Sequence, residues 1–175
     1  MQRRYQKVIE IAPAPQLTDS IRRDIIEAAV RLAKSVEYSN LGTFEFLFDV
    51  DSKTEEAFYF IETNARLQVE HTVTEAVTGV DIVQAQIQLA EGATLNAIGF
   101  DDSAVSKPEG FAIQTRINME TLSGNGMVKP SGGTLISYEA PSGPGVRTDG
   151  FGYAGYTTTP AFDSLLAKVI THSPS

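Results

Sequence analysis

Cysteine is absent from these 175 residues, which excludes a disulfide framework and thiolate chemistry. A basic surplus is missing as well: 14 Lys and Arg against 22 Asp and Glu leave a formal charge of −8. That balance argues against nucleic acid or an anionic membrane as partner, because both reward a basic surface. No apolar run approaches the ~20 residues that a membrane span needs. The opening "MQRRYQKVIEIAPAP" lacks the apolar core of a signal peptide. Histidine is scarce, and His71 and His172 lie far apart, so neither reads as a metal ligand. "PSGG" and "PSGPG" lead no helix with a following Lys-Ser/Thr, so neither is a phosphate loop. Repeats and low-complexity tracts do not occur. What is left, 42% hydrophobic and 21% charged, describes an ordinary globular protein and fits a cytoplasmic one. The length suits one sizeable domain or pieces of two.

Both ends read as cut, since the chain opens on a strand (Lys7 to Ile11) and stops just after the apolar run "AKVITH". "APAP" at residues 12–15 cannot sit inside a regular element and reads as a linker. A helix is expected from Thr18, with Ile21, Ile25, Ala28, Ala29, Leu32 and Val36 at helical spacing. "TFEFLFDV" and "AFYFIETN" then read as an antiparallel hairpin around "DSKTEE". "TVTE" at residues 72–75 fits a capping box on a short helix ending at Gly79; Asp81 caps the next, Ile82 to Ala90, and Gly92 ends it. Beyond residue 100 the texture turns to strands and glycine-rich turns: "FAIQTRINME", "GTLISYEA", "GVRT" and "LLAKVITH". The fold class is therefore α+β, with a boundary near residues 92–110.

The chemistry concentrates in "FYFIETNARLQVEH", residues 58–71, where Glu62, Asn64, Arg66, Gln68 and Glu70 fall on every second position. Strict alternation marks an extended chain, whose successive side chains point to opposite faces. If the hairpin pairs Val50 with Ala57, Glu45 lies opposite Glu62, with Asn64 on the same face and Cβ atoms ~5 Å apart. Two carboxylates and an amide oxygen are hard ligands that suit Mg²⁺, whereas a solvated sheet face whose carboxylates meet lysines would leave the same pattern. A straight strand from Glu62 to Glu70 spans about 26 Å, so a shared site requires the chain to bend after Asn64. Arg66 and Gln68 then suit a small planar oxyanion and Glu70 its proton, against the plainer reading of a surface ion pair. "QRRYQK" is a basic cluster near the start, and Arg147 sits among glycines that permit close backbone approach. A cut basic terminus and a solvated turn explain these two equally well.

Taken together, "QRRYQKVIEIAPAP", "GTFEFLF", "FIETNARLQVEHTVTEAVTGVDIVQ" and "YAGYTTTPAFDSLLAKVI" resemble the biotin carboxylase component of biotin-dependent carboxylases, ATP-grasp enzymes. The resemblance runs from Gln2 to His172. It implies a partial ATP-grasp domain (antiparallel sheet with helices) over residues 1–100. Part of the mixed-sheet biotin carboxylase C-terminal domain would follow over 101–175. The implied activity is that of an ATP-dependent ligase: MgATP and bicarbonate give carboxyphosphate, whose CO₂ is transferred to biotin on a carrier protein. In the family, positions matching Glu45, Glu62 and Asn64 hold Mg²⁺ or Mn²⁺; Leu47, Ile61 and Gln2 match nucleotide contacts. Arg66, Gln68, the backbone at Val69, Glu70 and Lys7 match the bicarbonate site, with Glu70 as base. Arg147 matches the arginine that faces the biotin enolate. The implied partners are bicarbonate, a biotin carboxyl carrier domain and a carboxyltransferase domain, in a homo-oligomeric parent without nucleic acid or membrane. Tyr5 stands where many members carry a histidine. "METLSGNGMVKPSGGTL" looks like the large single-chain acyl-CoA or pyruvate carboxylases. Carbamoyl-phosphate synthase, another bicarbonate-using ATP-grasp ligase, is the rival enzyme; a non-catalytic nucleotide-binding or assembly domain is the alternative of another class. The 175 residues alone are expected to be inactive, lacking the lid over ATP.

Overall fold

A computed structural model describes residues 1–3, 6–52, 58–100 and 107–174. In chain order its elements are β1 (Gln2–Arg3), β2 (Gln6–Lys7), β3 (Ile9–Ala12), α1 (Asp19–Ser35), β4 (Thr43–Phe48), β5 (Phe58–Asn64), α2 (His71–Thr78) and α3 (Ile82–Ala90). There follow a 3₁₀ turn at Asn96–Ile98, then β6 (Phe111–Asn118), β7 (Glu120–Leu122), β8 (Val128–Pro130), β9 (Gly133–Thr134), β10 (Val146–Gly150), β11 (Thr157–Thr158) and β12 (Leu165–Ser173). Helices mix with wholly antiparallel sheets, as the α+β expectation required. No helix among the described residues is long and apolar enough to cross a membrane. Tyr5, and Ala57 of the expected Val50–Ala57 pair, lie outside the described residues.

Two compact units divide the chain: Pro13–Pro108, and Met1–Ala12 together with Glu109–Ser175. In the Pro13–Pro108 unit, Thr18 caps α1 by accepting the Ile21 N–H at 3.4 Å. Asp81 caps α3 through the Gln84 N–H at 2.8 Å. Gly79 ends α2 in the left-handed region at φ 70°. The expected capping box does not mark the helix start. Thr72 lies wholly buried inside α2 and Glu70 holds the N-cap position without a side-chain cap bond, while Glu75 accepts the Ile82 N–H at 3.0 Å. Burying Thr72 with Val73 and Val77 decides the helix start here, because the apolar stripe needs that turn inside.

The other unit is built on a sheet of order β10-β12-β6-β3. Its core is Ala112, Leu166, Ala167 and Ile170. β3 pairs with β6 from Ile9↔Thr115 to Ala12↔Ala112, so the strand expected at Lys7 to Ile11 is split at Val8 and its second part runs into the proline linker. "GTLISYEA" contributes only β9; beyond it Leu135 makes loop bonds, its N–H donating to Tyr156 O at 2.9 Å and its carbonyl accepting the Gly155 N–H at 2.7 Å.

Candidate functional site

The β4–β5 hairpin places the first group of polar side chains. Glu45 pairs with Glu62 and Thr43 with Asn64, but the register shifts at Glu45/Phe46, so that Phe46 opposes Phe60 and Phe48 opposes Phe58. The extra residue is Ile61, a β-bulge. Its effect is chemical. Phe60 and Glu62 are two residues apart and would share a face in a regular strand. With the bulge between them, Phe60 joins Phe58 around Phe46 in edge-to-face contacts at 5.7 and 5.8 Å, while Glu62 joins Glu45. Leu47 and Tyr59 are paired on the carboxylate face and both exposed. Ile61 is exposed at the bulge, not turned to the apolar face as strict alternation predicts.

Asn64 Nδ2 donates to Glu45 Oε1 at 3.1 Å and to Glu62 Oε1 at 3.0 Å. Gln68 Nε2 donates to Glu45 Oε1 at 3.1 Å, and its own Oε1 is buried with no hydrogen-bond partner. The two like charges are thus bridged by amide N–H groups. A divalent cation would relieve them more strongly, and the donor set of two carboxylates and amide oxygens is the kind Mg²⁺ takes. Among the described residues no group of three or more His, Cys, Asp or Glu could hold a metal. Two carboxylates are enough for an ion that keeps its waters and takes substrate phosphates. The residues fit.

The bend required after Asn64 is present. β5 ends there, and the Arg66 N–H turns back to Asn64 O at 2.8 Å. Gly42 makes room for that turn, since a Cβ on it would lie 2.9 Å from Asn64 O and 2.8 Å from Tyr38 Oη. Arg66, Gln68 and Glu70 line one pocket of about 410 Å³, walled by Ile25 and Ile26 of α1 and by Phe44 and Phe46 of β4. Glu45, Glu62 and Asn64 do not line it; the Gln68–Glu45 bond links the two groups. Arg66 is exposed and donates to Leu67 O at 3.1 Å. Val69 and Glu70 are half-buried. His71 Nδ1–H donates to Gln68 O at 2.8 Å, which pins the turn entering α2.

Gln2, Lys7 and Arg147 belong to the other unit. Gln2 pairs with Lys7 across β1–β2. Arg147 lies on β10 and not in a turn, entered through Gly145 at φ 71°, where a Cβ would overlap His172 O. Its Nε and Nη2 donate to Asp149 Oδ1 and Oδ2 at 2.8 and 2.9 Å. Burial alone would raise the Asp149 carboxyl, but bonds and charge from Arg147 and Lys168 outweigh it and hold the group below its ordinary value. Two further charged clusters escaped the sequence reading. Glu10 accepts from Arg116 Nε and Nη2 at 2.9 and 2.8 Å and from Gln114 Nε2 at 3.1 Å. Glu120 accepts from Arg3 and, at 2.7 Å, from Ser164. Asp149 alone carried a signal, standing two residues after Arg147 and just past the expected strand "GVRT".

Residues 1–98 match the family model of the carbamoyl-phosphate synthase L chain ATP-binding domain, and residues 114–175 that of the biotin carboxylase C-terminal domain. A pyruvate carboxylase of Aspergillus niger is 50% identical over 169 residues, 96% of this chain and 14% of that protein. Biotin carboxylase 1 of Bacillus subtilis is 45% identical over 172 residues, 98% of this chain and 36% of that protein. Among solved structures, a single-chain, multi-domain long-chain acyl-CoA carboxylase superposes with a TM-score of 0.91 at 44% identity, covering 100% of this chain and 18% of that one. The biotin carboxylase domain of a single-chain bacterial carboxylase gives 0.86 at 46%, covering 99% and 38%. The chain thus spans between about a seventh and two fifths of the proteins it matches.

Proposed function

This chain belongs to the biotin carboxylase family, and we propose that it works within an ATP-dependent ligase that carboxylates biotin on a carrier domain using bicarbonate. In that reading residues 1–100 supply the second half of an ATP-grasp domain and 101–175 the start of the biotin carboxylase C-terminal domain. The observation that carries it is the Glu45–Asn64–Glu62 cluster tied through Gln68 to the turn before α2. Glu45, Glu62 and Asn64 would hold Mg²⁺ or Mn²⁺, which supplies charge neutralisation for the phosphates of ATP.

The chain's own residues do the remaining work. Leu47 and Ile61 offer exposed apolar surface to the nucleotide, and Gln2 a polar contact by resemblance. Arg66 and Gln68, with the Val69 backbone, hold the bicarbonate oxyanion; Lys7 is assigned to the same substrate by resemblance. Glu70 takes the bicarbonate proton so that the oxygen can attack the γ-phosphate, breaking its bond to ADP, which leaves. The resulting carboxyphosphate yields CO₂ and phosphate, which removes the ureido proton of biotin. Arg147 faces the oxygen that becomes negative in that step, where a fixed cation acts most strongly. A carboxyltransferase domain would consume the product, in a cytoplasmic homo-oligomer. Carbamoyl-phosphate synthase shares the family model over residues 1–98, but residues 114–175 match the biotin side.

The test is a pair of variants in the full-length carboxylase. Glu62→Gln weakens Mg²⁺-dependent nucleotide binding, whereas Glu70→Gln spares MgATP binding and loses bicarbonate-dependent turnover. The same MgATP-binding defect in both variants refutes the division of labour.

A further inference from the structure

The chain from Gln68 to His71 forms a β-turn with Val69 and Glu70 at its centre. Glu70 sits at φ −78°, ψ 0°, the backbone of the third residue in a type I turn. The His71 N–H closes the turn on Gln68 O at 3.3 Å. That closure is weak, since good N–H···O bonds run from about 2.7 to 3.2 Å. The His71 ring makes the shorter bond, its Nδ1–H donating to the same carbonyl at 2.8 Å. Gln68 is thus held at both ends, its carbonyl by His71 of α2 and its amide Nε2 by Glu45 Oε1 of β4 at 3.1 Å. The ring has little freedom of its own. Its side chain is 13% exposed, and Glu75, 9% exposed, stands beside it with Oε1 at 3.8 Å from Nε2. That carboxylate is fixed in turn by the Ile82 N–H at the start of α3.

We infer that His71 is a positioning residue whose Nδ1–H locks the turn presenting Gln68, the Val69 backbone and the Glu70 carboxylate to bicarbonate. The inference rests on the assignment of Arg66–Glu70 to that substrate. Bicarbonate has few atoms by which it can be gripped, so the groups around it must be placed before it arrives. With the weak backbone bond alone the turn opens readily, and the backbone at Val69 and the aim of Glu70 go with it. The ring bond prevents this from a helix whose first turn is buried at Thr72 and Val73. His71 lines the same pocket as Arg66, Gln68 and Glu70. Its Nδ1 proton is committed to a carbonyl, which can only accept, so that nitrogen cannot serve as a base. Glu70 keeps the proton transfer, and His71 acts through it.

The experiment uses the full-length carboxylase with His71→Leu, His71→Asn, His71→Gln and, as reference, Glu70→Gln. It measures kcat and KM for bicarbonate beside KM for MgATP. Misplacing a catalytic group by about 1 Å costs on the order of 10²-fold, so His71→Leu is expected to lower kcat/KM for bicarbonate by about 10- to 10²-fold. KM for MgATP stays within about twofold, which also reports an intact fold. The Asn and Gln variants separate positioning from packing. Asparagine carries its amide nitrogen as many bonds from Cβ as Nδ1, glutamine as many as Nε2. Glutamine is the closer match in size and the better helix former, so a packing or helix role favours it. A donor role toward Gln68 O favours asparagine. Asparagine is therefore expected to keep most of the bicarbonate efficiency while glutamine behaves like leucine, a comparison that stands whether or not His71→Leu folds. Undiminished efficiency in His71→Leu, glutamine equal to or better than asparagine, or an equal rise in KM for MgATP would each overturn the inference. So would a loss in His71→Asn as complete as that in Glu70→Gln, which would make the ring itself the base. Failure of the bicarbonate assignment shows separately, as bicarbonate-dependent turnover retained in Glu70→Gln.

Discussion

Replacing Glu10 by alanine tests how β3 is held within the unit that it forms with residues 109–175. Glu10 is the acceptor for three side-chain hydrogen bonds, two from Arg116 and one from Gln114. Its side chain is 9% exposed and that of Arg116 10%, so water cannot take over from the lost carboxylate. Removing one partner of such a pair leaves a buried guanidinium short of its counter-charge, which costs about 3–5 kcal/mol. For a urea slope of about 2 kcal/mol per M, the unfolding midpoint falls by about 1.5–2.5 M. Replacing both partners, Glu10→Leu with Arg116→Leu, removes the desolvation penalty along with the attraction and should return the midpoint to within about 1 M of the original. Amide exchange along β6 localises the effect, since β3 is its hydrogen-bonded neighbour. The reasoning fails if Glu10→Ala leaves the midpoint unchanged, or if the double variant is as unstable as the single one.

Three further outcomes are expected. Arg147→Ala in the full-length carboxylase loses biotin carboxylation by about 10²–10³-fold while nucleotide affinity and slow ATP cleavage persist, and lysine rescues only in part; parallel loss of both activities sinks the assignment. The 175 residues alone fold but turn over no ATP, since the carboxylate hairpin proposed to hold the metal neither excludes water nor grips the phosphates by itself; bicarbonate- and biotin-dependent ADP release from this piece would overturn that. Burial works against the charged form of Glu120, but Ser164, Arg3 and Asn118 more than offset it and depress its carboxyl below the ordinary 4.5. A depressed folded value means stability that is complete above the unfolded value and lost as pH falls through the folded one. The unfolding free energy should therefore drop below about pH 4.5, and Glu120→Gln should flatten that slope; an unaltered slope in the variant would contradict it.

Helix starts and stops were legible where one residue satisfies one terminus. Thr18, Gly79 and Asp81 act as their side chains or backbone dictate. The start of α2 was not legible from the expected capping box at Thr72–Glu75, because burial of Thr72 and the Glu75–Ile82 bond are tertiary matters that no four-residue pattern contains. Likewise "GTLISYEA" has strand-like composition, yet a strand needs a neighbour, and only Gly133–Thr134 finds one in β11.

The site divides along the same physical line. That Glu45 opposes Glu62 followed from counting back from the hairpin loop, yet the count is kept only near the carboxylates. Residues 46–48 pair one position away from it, and the Ile61 bulge absorbs the difference. A regular ladder would have forced Phe60 and Glu62 onto one face, so either the aromatic cluster or the carboxylate pair would have been lost. The bulge is thus the condition for an apolar floor and a metal-suited face on the same hairpin, and nothing in "FYFIETN" announces it. Arg147 and Asp149 show the complement. Their i, i+2 spacing puts them on one face of any strand, but Lys168, the residue that anchors the pair, comes from a strand whose register is set only by the folded sheet. Residue type and spacing reveal which groups can act; the ladder decides which of them are held still.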